Sequence, residues 1–198
     1  MPIDATNLNV DAFTVSAHKF HGPKGVGFMF LRDGTRISPL IHGGGQERNL
    51  RGGTENILGI VGTAVAARHS LTDFDVKYNY MLGLRDHFIE SALKIKGATL
   101  NGSLLNRLCN NVNLTFKNVP GESALAMLDM YGICASSGSA CNSKDNTPSH
   151  VLTAIGLAPE DARCTLRFTL SEDNTIDEVD RTAITLKRIV EDLRSVYG

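Results

Sequence analysis

His18 and Lys19 stand side by side between the run Phe13-Thr-Val and the rigid turn Gly22-Pro-Lys-Gly25. A lysine fixed at a strand end by such a turn can be held in one geometry and desolvated. Its pKa responds readily to burial, and a partly neutral amine forms a Schiff base with an aldehyde. The ordinary alternative is a solvated surface charge, and Lys24 reads equally well as one.

Three further segments carry chemistry. The stretch from His42 to Glu55, His-Gly-Gly-Gly-Gln-Glu-Arg-Asn-Leu-Arg-Gly-Gly-Thr-Glu, is too rich in glycine for regular structure. Its bare amides can approach an anion closely, Arg48 and Arg51 add donors for a phosphate or carboxylate, and Thr54 adds a hydroxyl. No Gly-Lys-Ser/Thr follows, so it is not a nucleotide phosphate loop, and a plain surface loop is the competing reading. In Ala135-Ser-Ser-Gly-Ser-Ala-Cys-Asn-Ser143, small polar neighbours favour an accessible, reactive Cys141. Cys134 and Cys164, on expected strands, read as buried structural cysteines. Arg167 lies in Cys164-Thr-Leu-Arg-Phe-Thr-Leu170. Strand alternation there puts Leu166, Phe168 and Leu170 on one face and Thr165, Arg167 and Thr169 on the other. Arg167 therefore faces a cleft or lies on an exposed edge.

These residues need elements to hold them. Val10 to Val15 reads as a strand ending at the lysine loop, and Val26 to Leu31, continuously apolar, as a strand buried on both faces. Arg32-Asp-Gly-Thr is a turn. Ile57 to Arg68 is a helix of small residues, and Asp73 caps a long helix to about Lys94 through Met81, Leu84, Phe88 and Ala92. Asn111 to Phe116 alternates as a half-buried strand. Glu122 to Met130 and Ser149 to Ile155 are short helices, and Ile133-Cys-Ala is a short strand. Thr175-Ile-Asp-Glu178 has capping-box spacing and opens a C-terminal helix through Ile184, Ile189 and Leu193. Helices and strands alternate, so an α/β or α+β fold with a mostly mixed sheet is expected.

The 198 residues suit one ordinary domain or two small ones, with a single boundary near residue 73. A formal net charge of −1 gives no reason to expect nucleic acid or a membrane surface. No apolar run approaches a bilayer span. Met1-Pro-Ile-Asp-Ala lacks signal-peptide organisation, and four irregularly spaced cysteines show no disulfide framework. A reduced, cytoplasmic setting is the expectation. His21, His42, His69, His87 and His150 follow no metal-ligand spacing, so no metal is expected.

Taken together, the motifs resemble a known family. Ser16-Ala-His-Lys19 followed by Gly22-Pro-Lys-Gly25 resembles the cofactor-lysine segment of the class V aminotransferase group of pyridoxal 5′-phosphate (PLP) enzymes, and of cysteine desulfurases in particular. Arg51-Gly-Gly-Thr-Glu-Asn56 resembles the segment whose threonine reaches the PLP phosphate of the neighbouring subunit. Ser136-Ser-Gly-Ser-Ala-Cys141 resembles the active-site loop of the group I (NifS/IscS-like) cysteine desulfurases. Leu166-Arg-Phe-Thr-Leu170 followed by Asn174-Thr resembles their substrate-carboxylate segment, with Ser171 where the family usually has glycine.

The resemblance implies a fold-type I α/β PLP-dependent transferase. Residues 1–73 would be the C-terminal part of the large PLP-binding domain, and 74–198 the small domain with the cysteine loop. It implies that Lys19 holds PLP, that Ser16, His18 and Thr54 meet its phosphate, and that Arg167 binds the α-carboxylate of L-cysteine. Cys141 would be the persulfide-forming nucleophile. A homodimer is implied, as is an iron–sulfur scaffold or another sulfur acceptor such as a tRNA-thiolation protein. Only the second half of a family member is covered, however. The pyridinium aspartate, the ring-stacking histidine and further cofactor contacts would precede it, and the long scaffold-docking tail does not appear. The chain therefore reads as incomplete: a fragment, a truncated product or one piece of a split enzyme. Whether it binds PLP alone stays open. A selenocysteine lyase, another class V PLP enzyme and a catalytically inactive association fragment are the alternative readings.

Overall fold

A computed structural model of the chain describes residues 3–137 and 148–197. The chain divides into two compact units between Phe74 and Asp75.

The first unit opens with α1 (Ala5–Leu8), where the Asp4 carboxylate accepts from the amides of Thr6 and Asn7, and left-handed Asn9 ends the turn. Strands β1 (Ala12–Ser16) and β2 (Gly27–Leu31) form an antiparallel hairpin, with Ser16 opposite Gly27 and Phe13 opposite Phe30. The rings of that second pair stack at 5.1 Å. A single turn, α2 (Gln46–Asn49), is broken by left-handed Glu47 and Arg48. Helix α3 (Ile57–Leu71) starts from Asn56, whose side chain accepts from the Gly59 amide at 3.0 Å. The expectation that Val26–Leu31 is buried on both faces fails in this chain. Phe28 and Met29 are 48% and 46% exposed, because a two-stranded hairpin offers no further strand to cover them.

The second unit holds the main core. Helix α4 (Phe74–Leu93) leads to a sheet of order β3-β4-β5, with β3 (Ala98–Leu100), β4 (Asn111–Phe116) and β5 (Thr165–Thr169). Both sheets are antiparallel, where a mixed sheet was expected. Helices α5 (Gly121–Met130), α6 (His150–Ala154), α7 (Pro159–Arg163) and α8 (Ile176–Tyr197) complete the unit. Val112, Leu114, Phe116, Leu166 and Phe168, alternate residues of β4 and β5, share one core with Phe88 of α4, Leu128 of α5 and Leu186 of α8. Phe88 meets Phe168 edge-on at 5.0 Å, and truncating such a buried ring to alanine costs about 3–5 kcal/mol. Among the described residues no helix is long and apolar enough to cross a membrane.

Two local expectations are corrected. Asp73 has φ 52°, so it links the helices as a left-handed residue and does not take the extended form of an N-cap. Ile133-Cys-Ala is not a strand. After α5, left-handed Gly132 turns the chain back, and its amide and that of Ile133 bond to the carbonyls of Asp129 and Leu128. Those amides close the helix end, leaving only Ser136 to pair with β5.

Candidate functional site

Strand β1 delivers the chain to Ser16, after which Ala17–Phe20 form one 3-10 turn. The Gly22 amide donates to the Ala17 carbonyl at 2.9 Å and the Ala17 amide to the Val26 carbonyl at 3.1 Å. Glycine is required here for close approach. A Cβ on Gly22 would lie 2.8 Å from that of Ala17, and one on Gly27 only 2.3 Å from the Val15 carbonyl oxygen. The small residues of α3 do the same from the other side. A Cβ on Gly62 would lie 2.6 Å from the Pro23 ring and one on Gly59 3.0 Å from Val26. The loop is thus clamped between a hairpin and a helix. Ala17 is wholly buried while Ser16, His18 and Lys19 project outward, exposed. Among the described residues none of those three side chains has a hydrogen-bond or ion-pair partner. The desolvation expected of Lys19 is not supplied by this chain's described residues.

The glycine-rich loop folds upon itself. The Gly52 amide donates to the Ile41 carbonyl at 2.9 Å, and a Cβ on Gly52 would lie 2.8 Å from the Gly43 Cα. Glu47, Arg48 and Asn49 are consecutively left-handed, at about 1 kcal/mol or more each. Gln46 accepts from the Gly53 amide at 3.2 Å, and Arg51 donates to the Gly52 carbonyl at 2.5 Å. Arg51 therefore serves its own loop, whereas Arg48 and Thr54 are exposed and free of described side-chain partners.

In the second unit Arg167 lies opposite Asn113 across β4 and β5. It lines a cavity of about 470 Å³ with Asn101, Asn113, Arg107, Ser149 and His150. No carboxylate occurs among the described lining residues. Arg107 donates to the carbonyls of Ser103, Asn101 and Asn111. Burial, reinforced by the nearby Arg85 charge, lowers its pKa from the ordinary arginine value. The half-buried Arg167 guanidinium has no partner among the described residues, and its planar fork suits a bidentate anion.

Cys141 lies outside the described residues, but those on either side of its segment meet the Arg167 backbone or this cavity. Ser136 exchanges two backbone hydrogen bonds with Arg167, of 3.0 and 2.7 Å. Ser149 and His150, where the described chain resumes, line the cavity themselves. Cys134 is exposed and Cys164 half-buried, contrary to the expectation of two buried strand cysteines; among the described cysteines it is Cys109 that is buried. Ser16, His18 and Lys19 thus share one turn and Thr54 sits in a separate loop of the same unit, while Arg167 belongs to the other unit.

Motif reading passed over Asn101 and Asn113. The alternation of β4 places Asn113 and Thr115 on the face opposite Val112 and Leu114, and the observed register sets them beside Arg167 and Thr165. The alternation was legible, but the register that makes neighbours of Asn113 and Arg167 was not.

The class-V aminotransferase family model matches residues 1–182. A cysteine desulfurase IscS of Methanosarcina thermophila is 46% identical over 196 residues, covering 99% of this chain and 48% of that protein. A solved NifS-like protein superposes with a TM-score of 0.87 at 36% identity, covering 97% of this chain and 49% of the other. A structure of SspA in complex with cysteine gives a TM-score of 0.64 at 36% identity, over 87% of this chain and 47% of that one. The chain spans about half the length of the relatives it matches.

Proposed function

This chain belongs to the class-V aminotransferase family, and on that premise we propose that it supplies the C-terminal half of a PLP-dependent cysteine desulfurase. The carrying observation is Arg167, whose guanidinium has no partner among the described residues, in a cavity whose described lining holds no carboxylate, with Ser136 paired to its backbone and Ser149 and His150 in that lining. A carboxylate-bearing substrate beside a thiol is the arrangement the reaction requires. Similarity to cysteine desulfurases and to a protein solved with cysteine supports L-cysteine as that substrate.

The Ser16–Lys19 turn fits PLP by its donor set. A hydroxyl and an imidazole suit a phosphate, an amine suits an aldehyde, and all three side chains are exposed on a clamped backbone, without partners among the described residues. Lys19 would hold the cofactor aldehyde, with Ser16 and His18 at the phosphate. Thr54 would complete that phosphate site from the partner subunit of a homodimer. PLP, when bound, supplies the electron sink that labilises bonds of the substrate amino acid. The remaining cofactor contacts would come from the other half of the enzyme. In this reading residues 1–73 belong to the PLP-binding domain and 74–198 form the small domain.

Arg167 grips the α-carboxylate with two parallel hydrogen bonds and fixes the amino acid's orientation. The Lys19 amine would carry the proton at the substrate α-carbon. The Cys141 thiolate takes the substrate sulfur: a carbon–sulfur bond breaks and a sulfur–sulfur bond forms. L-cysteine and the Cys141 thiol thus become alanine and a Cys141 persulfide, with atoms and electrons balanced. The persulfide sulfur then passes to an iron–sulfur scaffold or another cytoplasmic acceptor.

Borohydride trapping of PLP followed by peptide mapping tests the cofactor assignment. The label falls on Lys19, persists in Lys24→Ala and disappears in Lys19→Ala. A label on Lys24 instead would overturn it. Cys141→Ser stops persulfide formation from L-cysteine while PLP trapping continues, and persulfide formation that survives this change removes Cys141 from the role.

A further inference from the structure

Asn113 occupies the position across the sheet from Arg167, and a chain of buried hydrogen bonds ends on one side of its amide. The chain starts at the Asp161 carbonyl, which can only accept. Thr165 donates its hydroxyl proton there at 3.1 Å. The Thr165 and Thr115 hydroxyls lie 3.1 Å apart, and the single Thr115 proton also reaches the Asn101 Oδ1 at 3.1 Å. Thr115 in turn accepts from the Asn101 Nδ2 at 2.9 Å. The second Nδ2 proton of Asn101 goes to the Asn113 Oδ1 at 2.7 Å. Asn101, Thr115 and Thr165 are 8%, 5% and 1% exposed, so this cluster is largely shielded from water. The Asn113 oxygen is thus taken up by Asn101. The Asn113 Nδ2 protons, with no described acceptor, remain for the cavity that Asn113 lines with Arg167.

We infer that Asn113 is a substrate-binding residue: its Nδ2 donates to the α-carboxylate held by Arg167, and Asn101, which takes up its oxygen, is a positioning residue. This rests on the proposed reading of Arg167. A carboxylate has about four lone-pair sites, so a bidentate guanidinium leaves room for another donor. A hydrogen bond to a charged group contributes about 1.5–3 kcal/mol, so its loss weakens carboxylate binding by about 10- to 100-fold.

The test titrates the full chain with L-alanine, which carries the carboxylate but no sulfur, and with ethylamine, which lacks the carboxylate. The readouts are the side-chain amide resonances of Asn113 and the guanidinium resonance of Arg167. Both shift with L-alanine and neither with ethylamine. Asn113→Asp, which still accepts from Asn101 but presents an oxygen to the carboxylate, weakens L-alanine binding at least tenfold. Asn113→Ser serves as the second variant should the aspartate disturb folding. If Arg167 responds to the carboxylate while Asn113 does not, and Asn113→Asp binds normally, the inference fails and the Arg167 reading stands. A carboxylate-dependent shift at neither residue overturns both.

Discussion

At the scale of single residues, accessibility separates the thiols. Cys109 is only 6% exposed, whereas Cys134 is exposed beside the end of α5. Reaction with an alkylating agent needs both a thiolate and access. Native alkylation followed by peptide mapping should modify Cys134 well before Cys109, and unfolding should bring Cys109 up to the same rate. Equal native rates would contradict the burial of Cys109. The result bears on function because an exposed second thiol competes for label in any persulfide assay. Cys134→Ser should leave persulfide formation from L-cysteine intact, while Cys141→Ser removes it; the reverse pattern would exchange their roles. Residue type and neighbours singled out Cys141, which lies outside the described residues, and they misjudged Cys134. Its short apolar setting imitates a strand, although the amides before it are spent closing α5.

At the scale of elements, the capping box of α8 shows where local reading succeeds. The Glu178 amide donates to the Thr175 hydroxyl at 3.3 Å, and the Glu178 carboxylate accepts from the Thr175 amide at 3.0 Å. This motif is complete within four residues, so spacing alone identified it. The Thr175 amide, then the Asn174 side chain, holds the Glu178 carboxyl below the ordinary glutamate pKa. The sign follows: the folded pKa lies below the unfolded one. The stabilisation is therefore present above the unfolded value and is lost as pH falls through the folded one. Thermal melts of wild type and Glu178→Gln should differ most near neutral pH and converge in acid. A gap constant with pH would remove the carboxylate from the cap. Thr175→Ala should cost about 1 kcal/mol at neutral pH. Longer-range features resisted such reading. The run Val26–Leu31 announced burial without saying what covers it, and Asn113 became a neighbour of Arg167 only through the antiparallel register.

At the scale of the whole chain, the two units differ in what holds them. Every member of the main hydrophobic core, from Leu84 to Leu193, belongs to the second unit. In the first, Leu58, Val65 and Ile57 of α3 are 87%, 63% and 62% exposed. A helix of 15 residues is marginal in water unless packing supports it, and α3 gains that support mainly where Gly59 and Gly62 meet the lysine loop. Amide hydrogen exchange should therefore run at least about 100-fold faster in α3 than in β4, reporting a lower local opening free energy. Equal protection would show that the first unit is as firmly held as the second. The proposed enzyme makes a sharper demand. If its other half covers the apolar side chains of α3, adding that half must slow exchange in α3 and leave β4 nearly unchanged. The turn bearing Lys19 is clamped against this same helix, so the slowing should extend through residues 17–26. Slowing in α3 without slowing in the turn would separate the covering of apolar surface from the ordering of the lysine segment, and the clamp formed by Gly59 and Gly62 would not be the link between them.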